Sequence, residues 1–166
     1  MDKNIKVIFL DFDGVITTLN SGYRLDYDKV DMIKEIIDKT DAKLVISSSW
    51  KSYDLKSTIE DLKKSGFTLC DHIIDITPSL GIFKYNNNDG EARTEFHIPR
   101  GIEIDFWLEH TNYNVLNYVI LDDFDDMLYV QKDNFIQTDM YNGLNDNDVK
   151  KAIEILNNEN KLINNI

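Results

Sequence analysis

Asp11 and Asp13 stand one residue apart, directly after the apolar run VIFL (residues 7–10), and Gly14 follows them. Carboxylates so placed suit two tasks, holding a hard cation and moving protons. Residues two apart point the same way only in an extended chain. The chain must therefore turn just after the run, and Gly14 permits that turn. Three more apolar runs end in polar groups. Residues 43–47 (KLVIS) open into Ser47-Ser48-Ser49-Trp50. Residues 117–121 (NYVIL) open into Asp122-Asp123-Phe124-Asp125-Asp126. Residues 134–137 (NFIQ) end in Gln137-Thr138-Asp139. Buried strands that end in paired carboxylates are costly unless the charge is compensated, and a divalent cation is the simplest compensation.

These groups must be positioned by the elements between them. The four runs read as strands, with a weaker one at 72–76. Helical spacing recurs in the intervals. Residues 28–39 place Val30, Ile33, Ile36 and Ile37 on one face, with Asp28 as the expected N-cap. Residues 54–64 carry Leu55, Ile59 and Leu62, and Gly66 fits the end. Residues 101–110 turn Ile104, Trp107 and Leu108 inward. Residues 146–157 do the same with Val149, Ile153 and Leu156. Between 82–85 and 95–98 a hairpin is expected, its tip the polar stretch Asn86-Asn87-Asn88-Asp89-Gly90. Past residue 157 the Asn-rich tail is expected to fray.

Strands alternating with helices predict a three-layer α/β/α, Rossmann-like fold with a parallel sheet of about five strands. In such sheets ligands bind beyond the carboxyl ends of the strands, where all four polar clusters fall. A single domain over residues 1–166 is expected. The short interval after Asp13 holds at most a small flap at 17–25. The excursion at 81–98 is the other small lid.

The segment FLDFDGVITT resembles the first motif of the haloacid dehalogenase (HAD) superfamily. VISSSW resembles its second motif, a hydroxyl closing a strand, and YVILDDFDDM its fourth, an apolar strand ending in an acidic pair. The three come in the family's order. More narrowly, the SSSW, RGIEIDFWL and IQTDMYNGL segments resemble small HAD domains linked to RNA-repair systems.

The resemblance implies a Mg2+-dependent phosphatase. Asp11 is then the nucleophile, forming an aspartyl-phosphate. Asp13 protonates the leaving oxygen and afterwards activates water. The metal is held by Asp11, Asp122 and Asp123, with Asp13 contributing its backbone carbonyl. Ser48 binds a phosphate oxygen through its hydroxyl and Ser49 through its backbone N–H, with Ser47 as the alternative hydroxyl. The basic residue the family places ahead of the fourth motif is expected at Arg100, where a helix start also favours an anion. The family more often has Lys there, and Lys84 is the second candidate. Members with little cap often act on large substrates such as nucleic-acid ends.

Composition bears on the partner. The chain has 166 residues and a net charge of −12, which weighs against non-specific binding to nucleic acid or anionic membranes. A phosphorylated substrate is implied. Nucleic-acid ends or nucleotides remain an alternative that needs a local basic or aromatic rim. A non-catalytic phosphate-binding or phosphoacceptor domain is the other. A receiver-type phosphoacceptor needs no second aspartate, so Asp13 favours the enzyme. One cysteine, Cys70, excludes an internal disulfide and suits a reducing compartment. No signal peptide or membrane span is visible, so a cytoplasmic location is expected. His72, His97 and His110 lack zinc-ligand spacing. The plainer readings are turn residues for Asp13-Gly14, a solvated acidic loop at 122–126 and wall packing for Trp50. Tyr23, Tyr27 and Tyr53 could stack a base, and Asp139 reads first as a turn acid.

Overall fold

A computed structural model describes residues 4–86 and 93–158, with the strand pair within 82–97 described by its backbone. The elements in chain order are β1 (Asn4–Leu10), α1 (Tyr27–Thr40), β2 (Lys43–Ile46), α2 (Leu55–Lys64), β3 (Ile73–Ile76), β4 (Ile82–Asn86) and β5 (Arg93–His97). They continue with α3 (Arg100–His110), β6 (Asn114–Asp122), β7 (Phe135–Gln137) and α4 (Asp146–Asn157). Five strands form one parallel sheet in the order β3-β2-β1-β6-β7, and β4 and β5 form the expected antiparallel hairpin. Its tip at 87–92 and the tail from 159 lie outside the described residues.

The alternation of a strand's side chains divides the core between the two faces of the sheet. Ile8 and Leu10 of β1, Leu44 and Ile46 of β2, and Val119 and Leu121 of β6 face α1, α2 and α4. Val7 and Phe9 of β1, Val45 of β2 and Ile120 of β6 face Ile104 and Trp107 of α3. Phe9 meets the Trp107 ring edge-on, with centroids 5.4 Å apart. Each of these fully buried side chains contributes about 1.5–3 kcal/mol, so the central strands are the best anchored. The fold is therefore the three-layer α/β arrangement expected.

Several boundaries differ from the sequence expectation, β6 by starting three residues earlier, and two helix starts differ for reasons the contacts show. Helix α1 is capped by Asp26, whose side chain accepts from the Asp28 N–H at 3.1 Å, so Asp28 lies inside the first turn. Asp26 is fixed by its own N–H, which donates to Ile16 O at 2.9 Å. Asp28 still gains there from the helix dipole. Helix α3 begins at Arg100, one residue earlier than expected. Pro99 precedes it, and a proline carries no N–H to leave unpaired.

The ladder extends just beyond the strands. Asp11 N–H donates to Leu121 O, Ser47 N–H to Leu10 O, and Thr138 N–H to Asp122 O, all within 3.0 Å. These bonds line up the first residues after β1, β2 and β7 along one sheet edge, beside the end of β6. Among the described residues, no helix is long and apolar enough to cross a membrane.

Candidate active site

The turn after β1 separates three neighbouring side chains. Phe12 goes into the core, fully buried, with its ring 5.0 Å from that of Phe67. Asp11, 5 % exposed, stays at the sheet edge, where one oxygen accepts from the Phe12 N–H at 2.8 Å. Asp13 turns away from Asp11 towards Thr17 and Trp50. Gly14 makes the turn with φ +73, and a Cβ there would lie 2.3 Å from Asp123 Cγ. Glycine is thus required twice over, by backbone conformation and by the close approach of Asp123. Thr138 holds the turn from the β7 side, its hydroxyl donating to Gly14 O at 2.7 Å.

Asp11, Asp122 and Asp123 each offer a carboxylate oxygen, all within 4.8 Å of one another. Asp122 is 1 % exposed. Its Oδ1 accepts from the Phe124 N–H at 2.9 Å, while its Oδ2 faces the Arg100 guanidinium. Burial, then the charge of Asp11, push the Asp122 carboxyl up to about 8. Asp11 and Asp123 are also raised, chiefly by burial. Three clustered carboxylates held above their ordinary range by burial fit a hard divalent cation. The Asp13 carboxylate is outside this group.

The cationic side of the site is Arg100. Its Nε lies 3.0 Å from Asp122 Oδ2 and its Nη1 3.9 Å from Asp11 Oδ1, and Nη1 also donates to Ser47 O. The Arg100 N–H donates to Asp126 Oδ2 at 2.9 Å, so Asp126 supplies the acceptor that Pro99 cannot. That bond seats the first turn of α3 against the loop after β6.

Ser48 is fully buried, and its hydroxyl beside Asp11 works against the rise of that carboxyl. Ser47 Oγ is buried with no partner. The structure therefore brings Ser48 to the nucleophile candidate and leaves Ser47 contributing its carbonyl to Arg100. Ser49 is exposed, and its N–H donates to no acceptor among the described residues. Ser48, Ser49, Lys51, Arg100 and Asp126 line one open cleft of about 580 Å³. Lys84 lies on β4 with its backbone opposite Glu95. Asp139 is exposed and caps its own turn, accepting from the Tyr141 and Asn142 N–H groups.

Lys51 is absent from the residues expected from sequence. It is buried in the cleft wall, where Nζ contacts Thr77 Oγ1, Pro78 O and Glu103 Oε2 at 2.9–3.1 Å. Burial lowers its pKa. Glu103 is one turn beyond Arg100 and also accepts from the Leu80 N–H at 3.0 Å. The ion pair thus joins the loops after β2 and β3 to the start of α3. Its one sequence signal is a lysine placed directly after the serine turn.

A family model described as the HAD domain in Swiss Army Knife RNA repair proteins matches residues 7–149. No curated protein and no solved structure matches the chain.

Proposed function

Since the chain belongs to this family of HAD domains, we propose that it is a Mg2+-dependent phosphohydrolase that cleaves phosphomonoesters through an aspartyl-phosphate on Asp11. The observation that carries the reading is the meeting of three carboxylates within 4.8 Å of one another, beside the cleft that Arg100 and Ser48 line. Asp11, Asp122 and Asp123, with the Asp13 carbonyl, would hold the cation. Magnesium bound there would shield the nucleophile from the charge of the phosphate.

The chain's own groups supply the remainder. Arg100 and the Ser48 hydroxyl would bind phosphate oxygens, with the Ser49 N–H directed at the same anion. A carboxylate oxygen of Asp11 attacks phosphorus as the bond to the leaving oxygen breaks. Asp13 gives that oxygen its proton. Water then attacks the aspartyl-phosphate, Asp13 takes the water's proton, and the Asp11 carboxylate is released. Such chemistry, with a single buried thiol at Cys70, suits a cytoplasmic setting.

The test is hydrolysis of 4-nitrophenyl phosphate by purified protein, with magnesium, with chelator, and with Asp11→Asn. Turnover that needs both magnesium and Asp11 supports the reading. Magnesium binding without turnover on any phosphoester favours the phosphate-binding domain instead.

Three exposed aromatics favour a nucleic-acid end or nucleotide as the substrate class. Tyr53 is 89 %, Phe124 67 % and Tyr129 79 % exposed. Phe124 directly follows the metal-site pair. Tyr53 lines a second cleft of about 690 Å³ that shares Lys51 and Ser79 with the first. Exposed rings can stack bases of any sequence. Comparing kcat/KM for phosphorylated oligonucleotide ends with that for the aryl phosphate tests this. A preference for the oligonucleotide that is lost in Tyr53→Ala supports it, and equal rates contradict it.

A further inference from the structure

Asp13 Oδ1 accepts two hydrogen bonds. The Trp50 indole Nε1–H donates to it at 3.1 Å and the Thr17 hydroxyl at 2.7 Å. The Thr17 oxygen also lies 3.1 Å from Phe12 O, and a hydroxyl has a single proton to give. The indole N–H is a donor only. Among the described residues, Asp13 Oδ2 accepts no hydrogen bond.

The indole is aimed by contacts that do not involve Asp13. Its ring stacks on Phe12, with centroids 5.1 Å apart and planes at 28°. Its backbone N–H donates to Ser48 Oγ at 3.2 Å, and the Ser48 hydroxyl lies beside Asp11. The turn after β2 therefore presents a hydroxyl to Asp11 and an N–H to Asp13.

We propose that Trp50 is a positioning residue for the acid–base step, fixing Oδ1 of Asp13 so that Oδ2 is the oxygen that carries the proton. The proposal rests on the phosphohydrolase reading. In the first half-reaction the bond from Asp11 to phosphorus forms, the bond to the leaving group breaks, and the Oδ2 proton passes to the departing oxygen. In the second, water gives a proton to Oδ2 and its oxygen to phosphorus, the bond to Asp11 breaks, and Oδ2 ends protonated as it began. The indole exchanges no proton in either half and holds the carboxyl in one rotation throughout.

Trp50→Phe keeps a ring against Phe12 and removes the donor. Leaving groups differ in their need for a proton, and kcat/KM reports the first half-reaction. For phenyl phosphate, a poor leaving group, kcat/KM should fall about tenfold, the scale of one charge-assisted hydrogen bond. For 4-nitrophenyl phosphate, whose phenolate departs with little help, the fall should stay under about threefold. Equal losses for the two substrates, or none, overturn the proposal while leaving the phosphohydrolase reading in place. A wild type without magnesium-dependent turnover overturns both.

The contact has a readout that needs no turnover. In metal-free, 15N-labelled protein, Asp13→Ala should move the Trp50 indole N–H resonance upfield. The Trp107 resonance, whose N–H donates to Asp75 Oδ2 at 2.7 Å, should stay. A Trp50 resonance that does not respond overturns the proposal.

Discussion

Arg100 Nε stands 3.0 Å from Asp122 Oδ2, and the same guanidinium reaches within 3.9 Å of Asp11. One cation thus lowers the charge of two carboxylates that a metal would also claim. On the proposed reading, attraction for phosphate and competition with magnesium would come from the same group.

Arg100→Met should therefore act in opposite directions on two ligands. Magnesium binding should tighten severalfold as the competing charge goes. Inhibition by inorganic phosphate should weaken by about ten- to a hundredfold, the scale of a lost charge-assisted pair. Calorimetry with Mg2+ and phosphate inhibition of hydrolysis measure the two. Parallel weakening of both would mean that Arg100 mainly holds the fold of the cleft.

The metal-free chain should lose stability as pH rises. The Asp122 carboxyl is pushed up to about 8, from an ordinary value of 3.8, and Asp11 is raised as well. The folded state keeps protons there that the unfolded chain releases. The resulting stabilisation is complete below about pH 4 and is lost as pH climbs towards 8. In chelator, Tm should be lower at pH 8 than at pH 5.5. Saturating magnesium, which binds the ionised carboxylates, should narrow the gap. Scanning fluorimetry across pH decides it, and a Tm in chelator that is flat or rises contradicts the burial of these acids.

Gly14→Ala should be costly for two separable reasons. The residue sits at φ +73, and the added methyl would lie 2.3 Å from Asp123 Cγ. A loss of about 2 kcal/mol or more is expected, with weaker magnesium binding as Asp123 is displaced. Adding Asp123→Gly, which also removes the Cβ that would lie 2.5 Å from the new methyl, should recover the steric part of the loss of stability but not the metal affinity. Denaturant unfolding of the two single variants and the double measures the coupling. An additive cycle would assign the whole cost to the backbone.

The central strands are legible in the sequence because burial on both faces demands unbroken apolar runs, and VIFL and YVIL have no other economical use. Helix α4 is legible to its ends because Asn145 and the acids after it cap it by local chemistry. Asp26 is not, because it and Asp28 are equally good caps by type, and a tertiary bond from Asp26 N–H to Ile16 decides between them. Ser47 and Ser48 also look alike in sequence. Only the pleat, which puts successive side chains on opposite sides, sends Ser48 to Asp11. Lys51 and Trp50 act across the sheet edge on groups distant in sequence. Lys51 reads from sequence as one more surface lysine and Trp50 as wall packing, since neither partner is a neighbour along the chain.

The sheet order has a consequence for the timing of assembly. Strand β1 lies between β2, which follows it closely, and β6, which arrives from far down the chain. As the chain leaves the ribosome, Asp11, Asp13 and Ser48 can be set beside one another early, by the short β1–α1–β2 unit. Asp122, Asp123 and Arg100 come with the late, non-local pairing of β6, the kind that forms slowly. On the proposed reading, Asp11 would then be in place before the groups that would neutralise phosphate. On that reading, completion of the sheet and completion of the site would be the same event.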